Sequence, residues 1–144
     1  MKPDSFDDGH PASSKLDLLE ALIDRVLDGL QAHPDLFEET AFFIYWDSGF
    51  FQPIDFFGDG PRIPMIAVSK YSRGGNVVHT YADHASVVKF IERNWHLKPL
   101  TQRSRDNLPN PISAVSNPYV PLNMPAVSDL FDMFNFGDKH GHGD

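Results

Sequence analysis

The 144-residue chain contains no cysteine, so its own side chains can form neither a disulfide nor a thiolate metal site. It has no run of about 18 apolar residues, and its first residues, MKPDSFDDGHPASS, lack the apolar stretch of a signal peptide. We therefore expect no transmembrane segment and no export signal in this sequence. Basic residues are few, since 12 Lys and Arg against 20 Asp and Glu give a net charge of −8. Because phosphate-backbone binding needs a basic face, we expect no nucleic-acid partner.

Several catalytic signatures are also missing. The sequence has no glycine-rich loop of the P-loop type, no G-x-S-x-G elbow and no H-E-x-x-H helix. The residues alone therefore identify no reaction. They indicate an acidic α/β chain of the size of one domain that could hold an anion or a metal ion.

Two segments have the apolar spacing of amphipathic helices. Residues 14–30 form the first, with Ser13 or Ser14 as a cap, and residues 83–95 form the second, with Asp83 as the natural N-cap. In the second helix the predicted inner face contains Ala85, Val88, Ile91 and Trp95. Continuous apolar runs at 41–46 and 63–69 predict strands covered on both faces. The order helix, strand, loop, strand, helix predicts an α/β layer fold with a mostly parallel sheet.

The character of the sequence changes after Leu97. Residues 99–136 have many prolines and little periodicity, which predicts a long irregular segment that is either an ordered wrap or a loose tail. A short helix is predicted within residues 126–136, and residues 137–144 are predicted to be disordered. The predicted division is thus 1–98, 99–136 and 137–144.

Asp47 ends the first apolar run, where open α/β sheets hold their ligands. It either begins a turn with Ser48 and Gly49, or serves as a hard-cation ligand or general acid/base on a stiff element. His10, within the DGHP sequence before the first helix, is either an ordinary surface residue or a phosphate-binding, metal-binding or proton-donating group.

Other candidates have plainer alternatives. His79 and His84 flank a helix start that favours anions, but a capping or packing role is preferred for His84. Arg62 can grip a phosphate or pair with Asp55 or Asp59 to close a loop, and the ion pair is favoured. His140 and His142 could bind a divalent metal weakly, although a solvated tail is favoured.

Four segments together carry a family resemblance: DGHPASSKLDLLEALIDRV, FFGDGPRIPMIAVSKYSRGG, HTYADHASVVKFIERNW and LTQRSRDNLPNP. In this order they resemble the C-terminal portion of the bacterial phosphoesterase family, which includes phospholipase C-type and acid phosphatase-type enzymes. The resemblance implies part of an alkaline-phosphatase-like α/β/α sandwich, in which residues 1–98 form the C-terminal part of the α/β domain. It also implies metal-assisted hydrolysis of phosphoric esters by an attacking serine or threonine.

The resemblance assigns roles to two residues. His10 matches the family's Gly-His-Pro histidine, a hydrogen-bond donor to the phosphoryl group or proton donor to the leaving oxygen. Asp47 matches a metal-binding aspartate, and either the first or the second aspartate of the family motif fits. The acidic neighbour and the glycine turn of that motif are absent from YWDSGFF, and the family's nucleophile lies upstream of the matched segments.

These departures predict little or no catalysis by the chain alone. A divalent cation is implied by the family, yet too few oxygen ligands are predicted to hold one here. A sheet lacking neighbouring strands predicts self-association or pairing with an N-terminal half. Family members are often exported, whereas this sequence shows no signal peptide, so no compartment is assigned. The alternative hypothesis is a non-catalytic anion-binding or interaction domain built on the same scaffold.

Overall fold

The structure, a computed structural model, describes residues 15–47 and 63–137. The chain divides into two compact units, Met1–Lys70 and Tyr71–Asp144. Helices and small sheets are combined in the described parts, which confirms the predicted α/β class. His10, Asp55, Asp59, Arg62, His140 and His142 lie outside the described residues, as do the capping candidates Ser13 and Ser14.

The first unit begins with helix α1, Leu16–Gln31. Its apolar stripe is half-buried, and no described residue of this unit is buried. The stripe consists of Leu19, Leu22, Ile23, Val26, Leu27 and Leu30. Pro34 ends this helix because it disfavours helical geometry at His33, and it then opens the short helix α2, Pro34–Glu38.

Strands β1, Phe42–Tyr45, and β2, Met65–Val68, complete the described part of the first unit. They pair antiparallel, with Phe42 opposite Val68 and Tyr45 opposite Met65. The sequence predicted parallel strands, and this part of the prediction does not hold for the described strands. The predicted cover on both faces is not found either, since Tyr45 and Ile66 are exposed. A continuous apolar run carries no information about strand direction.

The second unit is built on helix α3, Ala85–Asn94. Asp83 caps it as predicted, because its Oδ1 accepts a hydrogen bond of 2.8 Å from the Ala85 N–H. A 3-10 turn at Arg105–Asn107 follows, and then a hairpin of strands β3, Ser113–Ala114, and β4, Asn117–Pro121. These two strands are also antiparallel.

The core of the second unit lies between α3 and the end of the described chain. Its buried apolar side chains are Phe90, Ala126, Val127, Leu130 and Phe134. The Phe90 ring stacks on the Phe134 ring with centroids 5.1 Å apart, and Phe134 stacks on Phe136 at 5.3 Å. Within residues 126–136 the described helical structure is a single 3-10 turn at Phe131–Met133.

Candidate functional site

Asp47 lies two residues beyond the end of β1 and is exposed. This is the strand-end location that the sequence predicted for it. His10 falls outside the described residues, so the structure does not test whether the two side chains meet. The metal role of Asp47 and the catalytic role of His10 stay predictions.

The two histidines near α3, His79 and His84, lie in different surroundings. The exposed His79 ring lies edge-on to the Tyr119 ring, with centroids 5.2 Å apart. His84 occupies the residue before α3, where its side chain makes no capping hydrogen bond. The cap comes from Asp83, which is also bound by Arg105 at 2.6 Å.

A family metal would need several carboxylate, histidine or amide ligands around one point. Among residues 15–47 and 63–137, no group of three or more His, Asp or Glu side chains could hold a metal ion. The described side chains therefore do not fit a divalent-metal centre.

The buried polar side chains of the described residues gather in the second unit, beside α3. Lys89 and Glu92 come from α3, Asp106 from the 3-10 turn and Asp129 from the loop before Leu130. We call these four residues the buried polar cluster. It lies against a cavity of about 320 Å³, which Lys89, Glu92 and Asp106 line together with Arg93, Asn107 and Asn110.

Lys89 connects α3 by hydrogen bonds to two other segments of the second unit, those around Leu108 and Val127. Its Nζ donates hydrogen bonds of 2.6 Å to the Leu108 carbonyl and 2.7 Å to the Val127 carbonyl. Burial lowers the pKa of Lys89, and the negative charge of Asp129 opposes this shift. Asp129 is itself held by the Asn110 amide at 2.8 Å and lies 3.7 Å from the Arg93 guanidinium.

Glu92 and Asp106 form a buried carboxyl pair whose pKa values are shifted in opposite directions. Burial raises the pKa of Glu92, and the charge of Asp106 and a hydrogen bond to it raise that pKa further. Burial alone would raise the pKa of Asp106 too, but hydrogen bonds from Ser104, from the Leu100 N–H and from Glu92 lower it overall. The two pKa shifts thus run in opposite directions, and of the two groups Glu92 is the one that holds a proton more readily on folding.

One oxygen of Glu92, Oε1, is buried and has no hydrogen-bond partner. A carboxyl oxygen without a partner is a hydrogen-bond acceptor, so the cluster can receive one hydrogen-bond donor at this point. A second depression, of about 460 Å³, is lined by Ala32, His33, Pro34, Asp35 and Leu36. Its lining residues are all exposed, so it lacks the buried polar groups that would fix a ligand.

The sequence did not predict the buried polar cluster, because α3 was assigned the wrong inner face. Ile91 and Trp95 are 44% and 61% exposed, whereas Ser86, Lys89, Phe90 and Glu92 are buried. A charged residue can occupy the buried face when its partners are supplied by other segments, and hydropathy spacing does not contain that information. One sequence signal could have indicated the buried polar cluster: Lys89 and Glu92 are three residues apart, so on a helix they lie on the same side, beside Phe90.

In the described residues no helix has the length and apolar character needed to cross a bilayer.

Comparison with known proteins places the chain in a family. The model of the Phosphoesterase family matches residues 1–98, more than half of the chain. Non-hemolytic phospholipase C of Burkholderia pseudomallei is 28% identical over 152 aligned residues, which cover 83% of this chain and 20% of that protein. Hemolytic phospholipase C of Pseudomonas aeruginosa is 29% identical over 105 residues, covering 53% of this chain and 14% of that protein. The chain thus spans a fifth or less of the length of these relatives, and by the extent of the family match it belongs to the phosphoesterase family.

Proposed function

We propose that the chain is the C-terminal portion of a hydrolase that cleaves phosphoric ester bonds. The observation that carries this proposal is the family match over residues 1–98. It spans α1, both strands of the first unit and α3. The proposed substrate class is a phosphomonoester or a phospholipase C-like phosphodiester, and the two phospholipase C relatives support the phosphodiester.

Within that enzyme, we propose His10 and Asp47 as the contributions of this chain to the site. His10 would bind the phosphoryl group or give a proton to the leaving oxygen as water or a hydroxyl nucleophile displaces it. Asp47 would place a carboxylate at a strand end. We further propose that the other acidic ligands and the nucleophile come from elsewhere. The absence of a fitting ligand group among the described residues supports this for the acidic ligands.

The same reasoning leads us to propose that the 144 residues alone are inactive. Phosphoryl transfer depends on an in-line nucleophile and on neutralising the charge of the phosphoryl oxygens. One histidine and one carboxylate supply neither in full. Residues 99–136 would then act as the wrap that packs on α3 and completes the fold at its C-terminal end.

The DNA preceding the codon for Met1 gives the first test. An in-frame continuation, or a neighbouring gene that encodes a serine or threonine nucleophile with a family-like acidic motif, supports the proposal. The polypeptide extended by that segment should hydrolyse a chromogenic phosphoester, and His10→Ala should reduce its kcat by a factor of about 10² or more. Unrelated upstream sequence, or an extended enzyme indifferent to His10→Ala, would count against the assignment.

A non-catalytic role is the second candidate, favoured by the lack of a metal-ligand group among the described residues. In that case the scaffold would hold a phosphorylated ligand without cleaving it. Titration calorimetry with inorganic phosphate, with and without Mg²⁺, separates the two. Binding at millimolar phosphate or tighter without turnover in the extended polypeptide would favour the binding domain, and absence of heat would argue against it.

A further inference from the structure

A stretch without charge stands out in this acidic chain. From Leu108 to Ser128 there is no Asp, Glu, Lys, Arg or His, although the chain as a whole carries a net charge of −8. The middle of this stretch, residues 112–124, contains the β3–β4 hairpin, and we call it the uncharged hairpin.

The uncharged hairpin exposes large apolar side chains. Val115, in the tight turn between β3 and β4, is 103% exposed, and Leu122 is 72% exposed. The others that are more than 40% exposed are Ile112, Tyr119, Val120 and Met124. Tyr119 and Val120 are adjacent in β4 and so point to opposite faces of the strand, yet both are more than half exposed. The hairpin therefore projects from the second unit.

The base of the hairpin is closed by its own polar groups. Asn123 accepts a hydrogen bond of 2.8 Å from the Ile112 N–H and donates one of 2.9 Å to the Asn110 carbonyl. The Leu122 N–H donates to the Ile112 carbonyl at 2.7 Å, and Ser113 Oγ donates to the Pro118 carbonyl at 3.1 Å. Because these groups are already satisfied, moving the hairpin out of water costs less than moving an open loop.

Two kinds of protein partner fit this surface poorly. Strand addition to β4 is hindered because Pro118 and Pro121 have no N–H to donate. A second copy of the chain would also carry a net charge of −8, and the repulsion between the two chains opposes their association at moderate salt. An apolar surface bordered by uncharged amides and hydroxyls is instead compatible with a partner surface that carries no net charge.

We propose that the uncharged hairpin docks the protein on the surface of an electrically neutral phospholipid bilayer. The exposed Val115, Val120 and Leu122 would enter the region between head groups and acyl chains, and Tyr119 would lie at the head-group level, where amphipathic rings are favoured. The exposed amide of Asn117 would face the head groups. This docking goes beyond the proposed hydrolysis and does not depend on it.

Co-sedimentation with sucrose-loaded phosphatidylcholine vesicles tests the proposal on the full 144-residue chain. We expect the unmodified chain to sediment with the vesicles and Val115→Asp to lower its partition coefficient at least about tenfold, because a carboxylate would enter the interface. Val77→Asp is the matched control, since Val77 is 78% exposed in the same unit but outside the hairpin. We expect it to bind within about twofold of the unmodified chain. Vesicles rich in phosphatidylserine should bind the acidic chain more weakly.

Far-UV circular dichroism and the unfolding midpoint check that Val115→Asp remains folded, and Leu122→Ser provides a second variant with the same expected loss. No sedimentation at millimolar phosphatidylcholine, or equal partitioning of the Val115 and Val77 variants, would overturn the proposal. So would a dimer in analytical ultracentrifugation that Val115→Asp dissociates and that binds no vesicles. Hydrolysis of soluble esters by the polypeptide extended at its N-terminus, without vesicle binding, would overturn docking alone and leave the proposed function intact.

Discussion

Glu92 reaches the Asp106 carboxylate from the buried face of α3, and its raised pKa makes the second unit sensitive to pH. Since the pKa of Glu92 is raised on folding, the native state keeps a proton that the unfolded chain releases near the ordinary value of 4.5. The free energy of unfolding therefore falls as pH rises from there through the native pKa, by up to about 1.4 kcal/mol per pH unit. Asp106 has a lowered pKa, so its contribution is lost in the opposite direction, as the solution becomes more acidic than its ordinary value of 3.8.

Glu92→Gln should remove the first of these dependences. The neutral amide can still donate to Asp106, so we expect the variant to match the unmodified chain near pH 4.5 and to be the more stable of the two at pH 7.5. Urea unfolding at both pH values measures this. Glu20→Gln, an exposed change on α1, should leave the pH dependence as it was. Parallel pH profiles for the unmodified chain and Glu92→Gln would refute the raised pKa of Glu92.

Lys89 is the second single residue of the buried polar cluster on which stability should depend. Removing its ammonium in Lys89→Met would leave the Leu108 and Val127 carbonyls without their donor. Of the two cations near Asp129, Arg93 alone would then remain. We expect a loss of about 3–5 kcal/mol in the free energy of unfolding. Lys98→Met, at an exposed position, should change it by less than about 0.5 kcal/mol. Similar urea midpoints for the two variants would show that the hydrogen bonds of Lys89 to the Leu108 and Val127 carbonyls do not stabilise the fold.

At the level of the elements, the start of α3 depends on Asp83, which both caps the helix and binds Arg105. Asp83→Ala removes both interactions and should cost about 1–2 kcal/mol of unfolding free energy. Asp83→Asn keeps an oxygen that can cap the helix but loses the charge, and should cost less than about 1 kcal/mol. Thermal unfolding distinguishes them, and an Asn variant as damaged as the Ala variant would mean that the ion pair, not the cap, matters.

The helices could be predicted from the sequence because their causes are local. The apolar stripe of α1, Pro34 after it and Asp83 before α3 each act on the nearest few residues. The direction of β1 against β2 is not local, and neither is the pairing of Lys89 with carbonyls 19 and 38 residues away. In the candidate site, the strand-end position of Asp47 could be predicted from the sequence. The buried polar cluster could not, because it depends on contacts between residues far apart in the chain, which the spacing of apolar residues does not reveal.

For the molecule as a whole, the two compact units differ in how they are stabilised. The described residues of the first unit include none that is buried, while the second has an apolar core and the buried polar cluster. Burial of apolar area is the main favourable term in folding, so the second unit should be the more protected one. In native-state hydrogen exchange, we expect amides of α3 to exchange at least about tenfold more slowly than those of α1. Equal protection of the two helices would contradict this.

The central claim is that these 144 residues carry only part of a site that cleaves phosphoric esters. Hydrolysis of a chromogenic phosphomonoester and of a chromogenic phosphodiester by the purified chain, with Mg²⁺, Ca²⁺ or Mn²⁺ supplied, tests it most directly. We predict no turnover above the buffer background with any of the three ions. Turnover at an ordinary enzymatic rate by the monomeric chain, abolished by His10→Ala, would contradict it.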